Sequence, residues 1–491
     1  MKKILFAFMV FGLCFVLVGC GQYLEAPQNV NVYTMSIEYD SDAKNVSGNL
    51  NINYINQTET VLDCVKFHLY PNAFREGAKA QVVSLANSQK AYPNGKNYGK
   101  ITIKSAKISQ NDCNFVIEGE DENILSIPLE SELFPNERVK IFIEFETKLA
   151  NINHRLGYGE NCINICNFYP IACVYENGAF VTDLYNSNGD PFYSKISTYD
   201  ITFTYDEKYV LASTGETEIK KDNNKNIAHI NAKGVRDFAM VLSDKFMVES
   251  DSVGDVCVNY FYIKDKSAKD SLDVAKQAVD FFEKNIGEYP YKTLNVVETS
   301  FVHGGMEYPN IVLISDDIAD YEIYKQVIVH EIAHQWWYGV VGNNQYSYGW
   351  LDEGLTEYTT ALFYDYYSNS TITSEQIIRN ATMAYSTFMR VYSDVLGEVD
   401  TSMNRKLNEF STEPEYVYNT YTKGLLMFAT INDIVGDNVF FKSLQYYYKK
   451  NAFKEVLPQD MIACFCKASG QDLENLFNAW IQGRVVIVAP E

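Results

Sequence analysis

Two histidines four residues apart, His330 and His334, bracket a glutamate in the run His330-Glu331-Ile332-Ala333-His334. A second glutamate, Glu353, follows nineteen positions after His334 (353 − 334 = 19). On a helix, residues four apart share a face, so the two imidazoles project side by side. That spacing suits a tetrahedral Zn²⁺, with Glu331 close enough to reach a water held by the metal. The flanks support a helix, because Ile323, Val327, Ile328, Ile332 and Trp336 supply apolar positions and Gly339 and Gly342 end the run.

A catalytic zinc needs a third protein ligand and an open position. Glu353 lies in Trp350-Leu351-Asp352-Glu353-Gly354-Leu355-Thr356-Glu357-Tyr358, which reads as the first turn of a second helix. The competing reading of the histidine pair is a surface helix that carries two histidines by chance. Only six His occur in 491 residues, so coincidence is the weaker reading.

The segments HEIAHQWWYGVVG and WLDEGLTEY together resemble the gluzincin metallopeptidases, and closely the aminopeptidase N and leukotriene hydrolase family. Gly304-Gly305-Met306-Glu307-Tyr308-Pro309 resembles the family's GxMEN exopeptidase motif, and Tyr421-Thr422-Lys423-Gly424 its Y-x-K-G segment. All four stand in family order, and the segments VSGNLNINYINQTE and FHLYPNAF are similar to its β-rich first domain.

The resemblance implies a multidomain α+β chain, an antiparallel β domain followed by a thermolysin-like, mainly helical catalytic domain. It implies one Zn²⁺ per chain, held by His330, His334 and Glu353, with Glu331 as general base. Tyr421 is implied as the donor to the oxyanion, although Tyr416 and Tyr418 lie nearby. Glu307 is implied as the anchor for a substrate's free α-amine, and Gly304, Gly305 and Met306 as backbone against which an extended peptide lies as an added strand.

The chain departs from the family in three places. Tyr308 stands where an Asn is usual. The family's second amine-binding pair, a Q-x-E or Q-x-Q segment, is missing from the corresponding stretch Ile165-Cys166-Asn167-Phe168-Tyr169-Pro170, which leaves Glu307 as the expected anchor. About seventy residues follow Tyr421, so the large C-terminal helical domain of longer members is expected to be absent and the cleft more open.

Met1-Lys2-Lys3 is a short basic start, and Ile4 to Val18 is an apolar run shorter than the roughly 20 residues of a membrane-spanning helix. Leu17-Val18-Gly19-Cys20 resembles a bacterial lipobox. Residues 1–19 then read as a signal peptide, Cys20 as a lipidation site, and 20–29 as a tether to the membrane on the extracytoplasmic side. An ordinary secretory signal or an uncleaved anchor is the alternative. The formal charge is −22, and removing Lys2 and Lys3 with the signal makes it −24 (−22 − 2), which argues against nucleic acid as a partner.

Beyond Cys14 and Cys20 the cysteines are Cys64, Cys113, Cys162, Cys166, Cys173, Cys257, Cys464 and Cys466, with no CxxC pair to suggest a structural zinc. Cys162, Cys166 and Cys173 cluster, either as free thiols or with a disulfide. Residues 30–250 are rich in short alternating runs such as Leu50 to Ile55 and Val139 to Phe145. Helical periodicity begins at Ser267 to Ile286, a strand follows at Leu294 to Glu298, and 255–491 read as the catalytic domain.

Glu357, one turn after Glu353, is either a solvated acid or a carboxylate that orients a ligand histidine. His303 reads as a loop residue, and His68, His154 and His229 belong to the β domain with no chemistry assigned. The leading functional reading is a zinc aminopeptidase acting on peptides. An endopeptidase, an epoxide hydrolase, or a non-catalytic peptide-binding lipoprotein are the alternatives.

Overall fold

In the computed structural model, residues 24–367 and 370–487 are described. The Cys20 lipidation site, the signal run and the first four residues of the tether, 20–23, lie outside them.

The first half is β-structure, and its alternating sequences explain why. Along Asn31–Asp40, Tyr33, Met35, Ile37 and Tyr39 are buried while Thr34, Ser36 and Glu38 face solvent. Asn45–Ile55 pairs antiparallel with Arg138–Lys148, setting Leu50 opposite Ile143 and Ile52 opposite Ile141 on one face. These strands belong to an eight-stranded sheet. Its pairing is antiparallel apart from one internal pair, Asn31–Asp40 alongside Ser197–Asp206, which run parallel. Two four-stranded sheets and a two-stranded hairpin, Tyr175–Glu176 with Ala179–Phe180, complete this half among the described residues.

Met247–Val253 and Val256–Tyr262 form a hairpin across residues 250–255. Val256–Tyr262 runs parallel to Thr293–Thr299, which runs parallel to Ile311–Ser315. The hairpin therefore belongs to the sheet of the second half. Helix Ala268–Asn285 links the first two parallel strands, burying Leu272, Ala275, Val279 and Phe282 on one stripe.

This five-stranded sheet is covered on both faces. Val296, Val312 and Ile314 pack into the core shared with the helices, whereas Val297, Ile311 and Leu313 pack into the core of the β half. Double burial explains why these strands read as unbroken apolar runs and not as alternating ones. Gly305–Met306 is added antiparallel to Ile311–Ser315 as the edge strand.

Helices make up most of the remainder. Tyr321–Ala333 packs on the sheet and against Glu353–Tyr366, which in turn packs on Lys423–Val435. Among the described residues no single helix is long and apolar enough to cross a membrane. The eight cysteines Cys64 to Cys466 are free thiols, with Cys162, Cys166 and Cys173 buried.

Candidate metal centre and active site

Helix Tyr321–Ala333 begins at Asp320, whose carboxylate accepts hydrogen bonds from the backbone N–H groups of Glu322 and Ile323. It stops one residue short of His334, earlier than the expected end at the glycines, because Trp336 and Trp337 turn into the core. His334 still bonds back to the carbonyl of His330, so the two imidazoles stay on one face. Ile323 and Val327 line a cavity of about 470 Å³; Ile323 is exposed, and Val327 also packs against the core.

The second helix opens on Glu353, and its carboxylate meets both imidazoles. His334 Nε2 lies 3.1 Å from His330 Nε2 and 3.1 Å from Glu353 Oε2, and His330 Nε2 lies 3.3 Å from that same oxygen. A regular tetrahedron with metal–ligand bonds of about 2.0 Å has edges of about 3.3 Å, so the triangle matches one face of such a site.

The second nitrogens agree. His334 Nδ1 faces the Trp337 carbonyl at 2.9 Å, so that nitrogen carries the proton and Nε2 turns its lone pair toward the triangle. Three converging lone pairs repel one another unless a cation sits among them. His330 Nδ1 faces the partly exposed Glu357 carboxylate at 3.4 Å, which places Glu357 to orient that imidazole.

Glu331 lies on the same helix one residue after His330. Its carboxylate rests over Gly305, where any Cβ would collide with it. Its Oε2 is buried, has no hydrogen-bond partner in the protein, and belongs to a side chain lining the cavity. Burial first, and then the neighbouring Glu307 carboxylate, push its pKa well above the usual carboxylate range. Such a group is a ready proton acceptor that needs a solvent or substrate hydrogen to complete it.

Edge-strand alternation sets Glu307. Met306 and Tyr308 point into the β core, so Glu307 between them turns to the cavity. The amide of Gln345 donates to Glu307 Oε1 at 2.6 Å and to Asp352 Oδ2 at 2.9 Å. Burial foremost, and then Asp190, push Glu307 up to about 8. Gln335 fastens this strand to the histidine helix, accepting from the Asn310 N–H and donating to the Tyr308 carbonyl. The tyrosine that replaces the family's Asn donates to Asn167, inside the stretch where the Q-x-E pair was missing.

Tyr421 sits on a one-turn π-helix, Tyr418–Thr422, between Glu413–Val417 and Lys423–Val435. Its hydroxyl donates to Glu353 Oε1 at 2.6 Å, and its ring lies parallel to that of His330. Tyr416 is buried beneath it, edge-on, and Tyr418 stacks on Phe388. Lys423 is turned away and donates to the Thr401 carbonyl.

Asp190, Arg155 and Gln345 were not singled out from sequence. Asp190 and Arg155 line the cavity beside Glu307, and nothing local marks them, because they come from irregular segments of the β half. His303 lines it too, whereas His68, His154 and His229 are not among the lining residues.

Residues 270–480 match the model of the peptidase family M1 domain. Aminopeptidase N of Streptomyces lividans is 25% identical over 244 residues, 45% of this chain and 27% of that protein. Aminopeptidase 2 of Candida albicans is 26% identical over 227 residues, 43% of this chain and 24% of its own length. The chain thus matches about a quarter of the length of these curated relatives. In fold it is similar to an M1 zinc metallopeptidase of Deinococcus radiodurans, with a TM-score of 0.64 at 14% identity, covering 96% of each chain. The zinc-type cluster of His330, His334 and Glu353 lies inside that matched stretch, so residues 270–480 carry a peptidase family M1 domain similar to that of the aminopeptidase N relatives.

Proposed function

We propose that this chain is a zinc aminopeptidase that releases N-terminal residues from peptides. One observation carries the proposal. The buried carboxylate of Glu307 lines the same cavity as the His330, His334 and Glu353 cluster and the unpartnered Glu331. Its relatives named above support it, as does a mutant of the Deinococcus radiodurans enzyme that was solved with a Tyr-Ser-Ala substrate.

His330 and His334, through Nε2, and Glu353, through Oε2, would hold the zinc. Zinc there supplies a Lewis acid that polarises the scissile carbonyl and acidifies water. The peptide backbone lies along the open edge of Gly305–Met306, with its α-ammonium on Glu307. Glu331 takes a proton from the attacking water as the new C–O bond forms. It then delivers that proton to the departing amine nitrogen as the C–N bond breaks. Tyr421 donates its hydroxyl hydrogen to the developing oxyanion.

The enzyme is proposed to work outside the cytoplasm, tethered through lipid on Cys20. The basic start, the apolar run and the Leu17-Val18-Gly19-Cys20 sequence support that reading.

A panel of aminoacyl anilides and their N-acetylated counterparts, with and without chelator, tests the activity. One charge-assisted contact is worth about 1.5–3 kcal/mol, so free-amine substrates should lead by roughly ten- to a hundred-fold. Equal cleavage of blocked substrates would replace the aminopeptidase reading with an endopeptidase one.

A further inference from the structure

We propose that Asp190 is the second acceptor for the substrate's α-ammonium, forming with Glu307 an amine clamp from a loop that no motif marks. The inference rests on the peptidase reading above and names a specificity residue within it.

Carboxylate oxygens of Asp190, Glu307 and Glu353 all lie within 4.8 Å of one another. Three atoms no more than 4.8 Å apart have a common point within about 2.8 Å of each, inside the reach of an N⁺–H···O⁻ hydrogen bond. A primary ammonium carries three N–H donors and matches such a tripod. Glu353 is largely committed, one oxygen facing the imidazoles and the other accepting from Tyr421. Glu307 has one oxygen on Gln345 and the other free. Asp190 supplies what Glu307 alone lacks.

The position selects an α-amine over a basic side chain. An α-nitrogen is about 2.5 Å from the scissile carbonyl carbon, one Cα away. A lysine nitrogen at the end of its four-carbon stem lies much farther out. Asp190 approaches an oxygen of Glu353, at the metal cluster itself, so the amine it meets is the one next to the bond that breaks.

The loop is built to hold this carboxylate still. The Asn188 side-chain amide donates to the carbonyls of Leu407 and Phe410, at 3.1 and 2.9 Å. Gly189 lies against the Tyr416 ring so closely that a Cβ would overlap it. Asp190 is ion-paired with buried Arg155, whose guanidinium lies over Phe192 and reaches Met306 Sδ at 3.2 Å.

Arg155 is a positioning residue: its guanidinium pairs with Asp190 and holds that carboxylate in the cavity beside Glu307.

The test compares alanine hydroxamate with propionohydroxamate, inhibitors that differ by the amine alone, on the zinc-loaded full chain. Wild type should bind the amine compound about ten- to a hundred-fold more tightly. Asp190→Asn should erase most of that ratio by weakening alanine hydroxamate, leaving propionohydroxamate inhibition and zinc content unchanged. The KM for aminoacyl anilides should rise by a similar factor.

Since removing Asp190 strands a buried guanidinium, the double variant Arg155→Gln/Asp190→Asn provides a second carrier of the same loss and should show the same collapsed ratio. A preference present in wild type and retained in both variants overturns the Asp190 assignment alone. Loss confined to substrates that begin with Lys or Arg also overturns it, by moving Asp190 to a side-chain pocket. A second bound metal ion that disappears in Asp190→Asn does the same. A wild-type chain with neither hydrolysis nor amine preference overturns the peptidase reading, and the proposal with it.

Discussion

Gly354 and Gly424 meet backbone to backbone: a Cβ on Gly424 would lie 2.5 Å from Gly354 Cα, and a Cβ on Gly354 2.8 Å from Gly424 Cα. Each glycine neighbours an active-site candidate, Glu353 on one helix and the Tyr421 turn before the other. Their contact sets the distance across which Tyr421 reaches Glu353.

Gly424→Ala should therefore cost both stability and turnover. Forcing a methyl into this contact costs about 1–3 kcal/mol, readable as a lowered urea midpoint. Activity should fall further than the folded fraction accounts for, because Tyr421 is pushed away from Glu353. Wild-type stability in the variant would show that the helices part without strain.

Glu331 and Glu353 should separate chemistry from metal. Glu353→Gln weakens zinc retention, measured by metal analysis after dialysis. Glu331→Gln keeps the metal and loses roughly a hundred- to ten-thousand-fold in kcat. Equal zinc loss in both variants would contradict these roles.

Tyr421→Phe removes one hydroxyl and should lower kcat by about a hundred- to a thousand-fold with KM little changed. A fall confined to KM would mean that the hydroxyl serves binding and not the transition state.

His68 predicts a pH effect on stability remote from the cavity. Burial pushes its pKa down to about 4 from an ordinary 6.5, against a hydrogen bond donated to the Val181 backbone carbonyl that raises it. Its contribution is whole above pH 6.5, where folded and unfolded chains both hold it neutral, and is lost as pH falls toward 4, where only the unfolded chain is protonated. That difference of about 2.5 pH units amounts to roughly 3 kcal/mol. Urea titrations at pH 7 and 4.5 should show it, and His68→Leu should flatten the dependence.

Cys20→Ser should release the protein from membranes or leave its precursor unprocessed. A variant that stays membrane-bound with a normally processed terminus would dismiss the lipobox reading.

Much of the site was legible because it depends on local geometry. The four-residue spacing of His330 and His334 survives any tertiary arrangement that keeps one helical turn, and the structure has that turn. Glu307 was legible only through the likeness of the Gly304 to Pro309 segment to the family's motif. The helix end was not, since Trp336 and Trp337 bury themselves before the glycines that mark a stop. The parallel pair inside the eight-stranded sheet was hidden because alternation specifies a buried face but not a partner's direction.

From its sequence alone, then, this chain determined its elements, the histidine pair, the acid between them and the glutamate beyond, all through periodicities of 3.6 and 2 residues. Tertiary structure decided which distant groups face one another. It brought Glu357 to His330, Gln345 to Glu307, Tyr308 to Asn167, and Asp190 with Arg155 to the cavity. Asp190 and Glu307 are more than a hundred residues apart (307 − 190 = 117). Such a contact follows from how two cores share one sheet, and no local pattern encodes it.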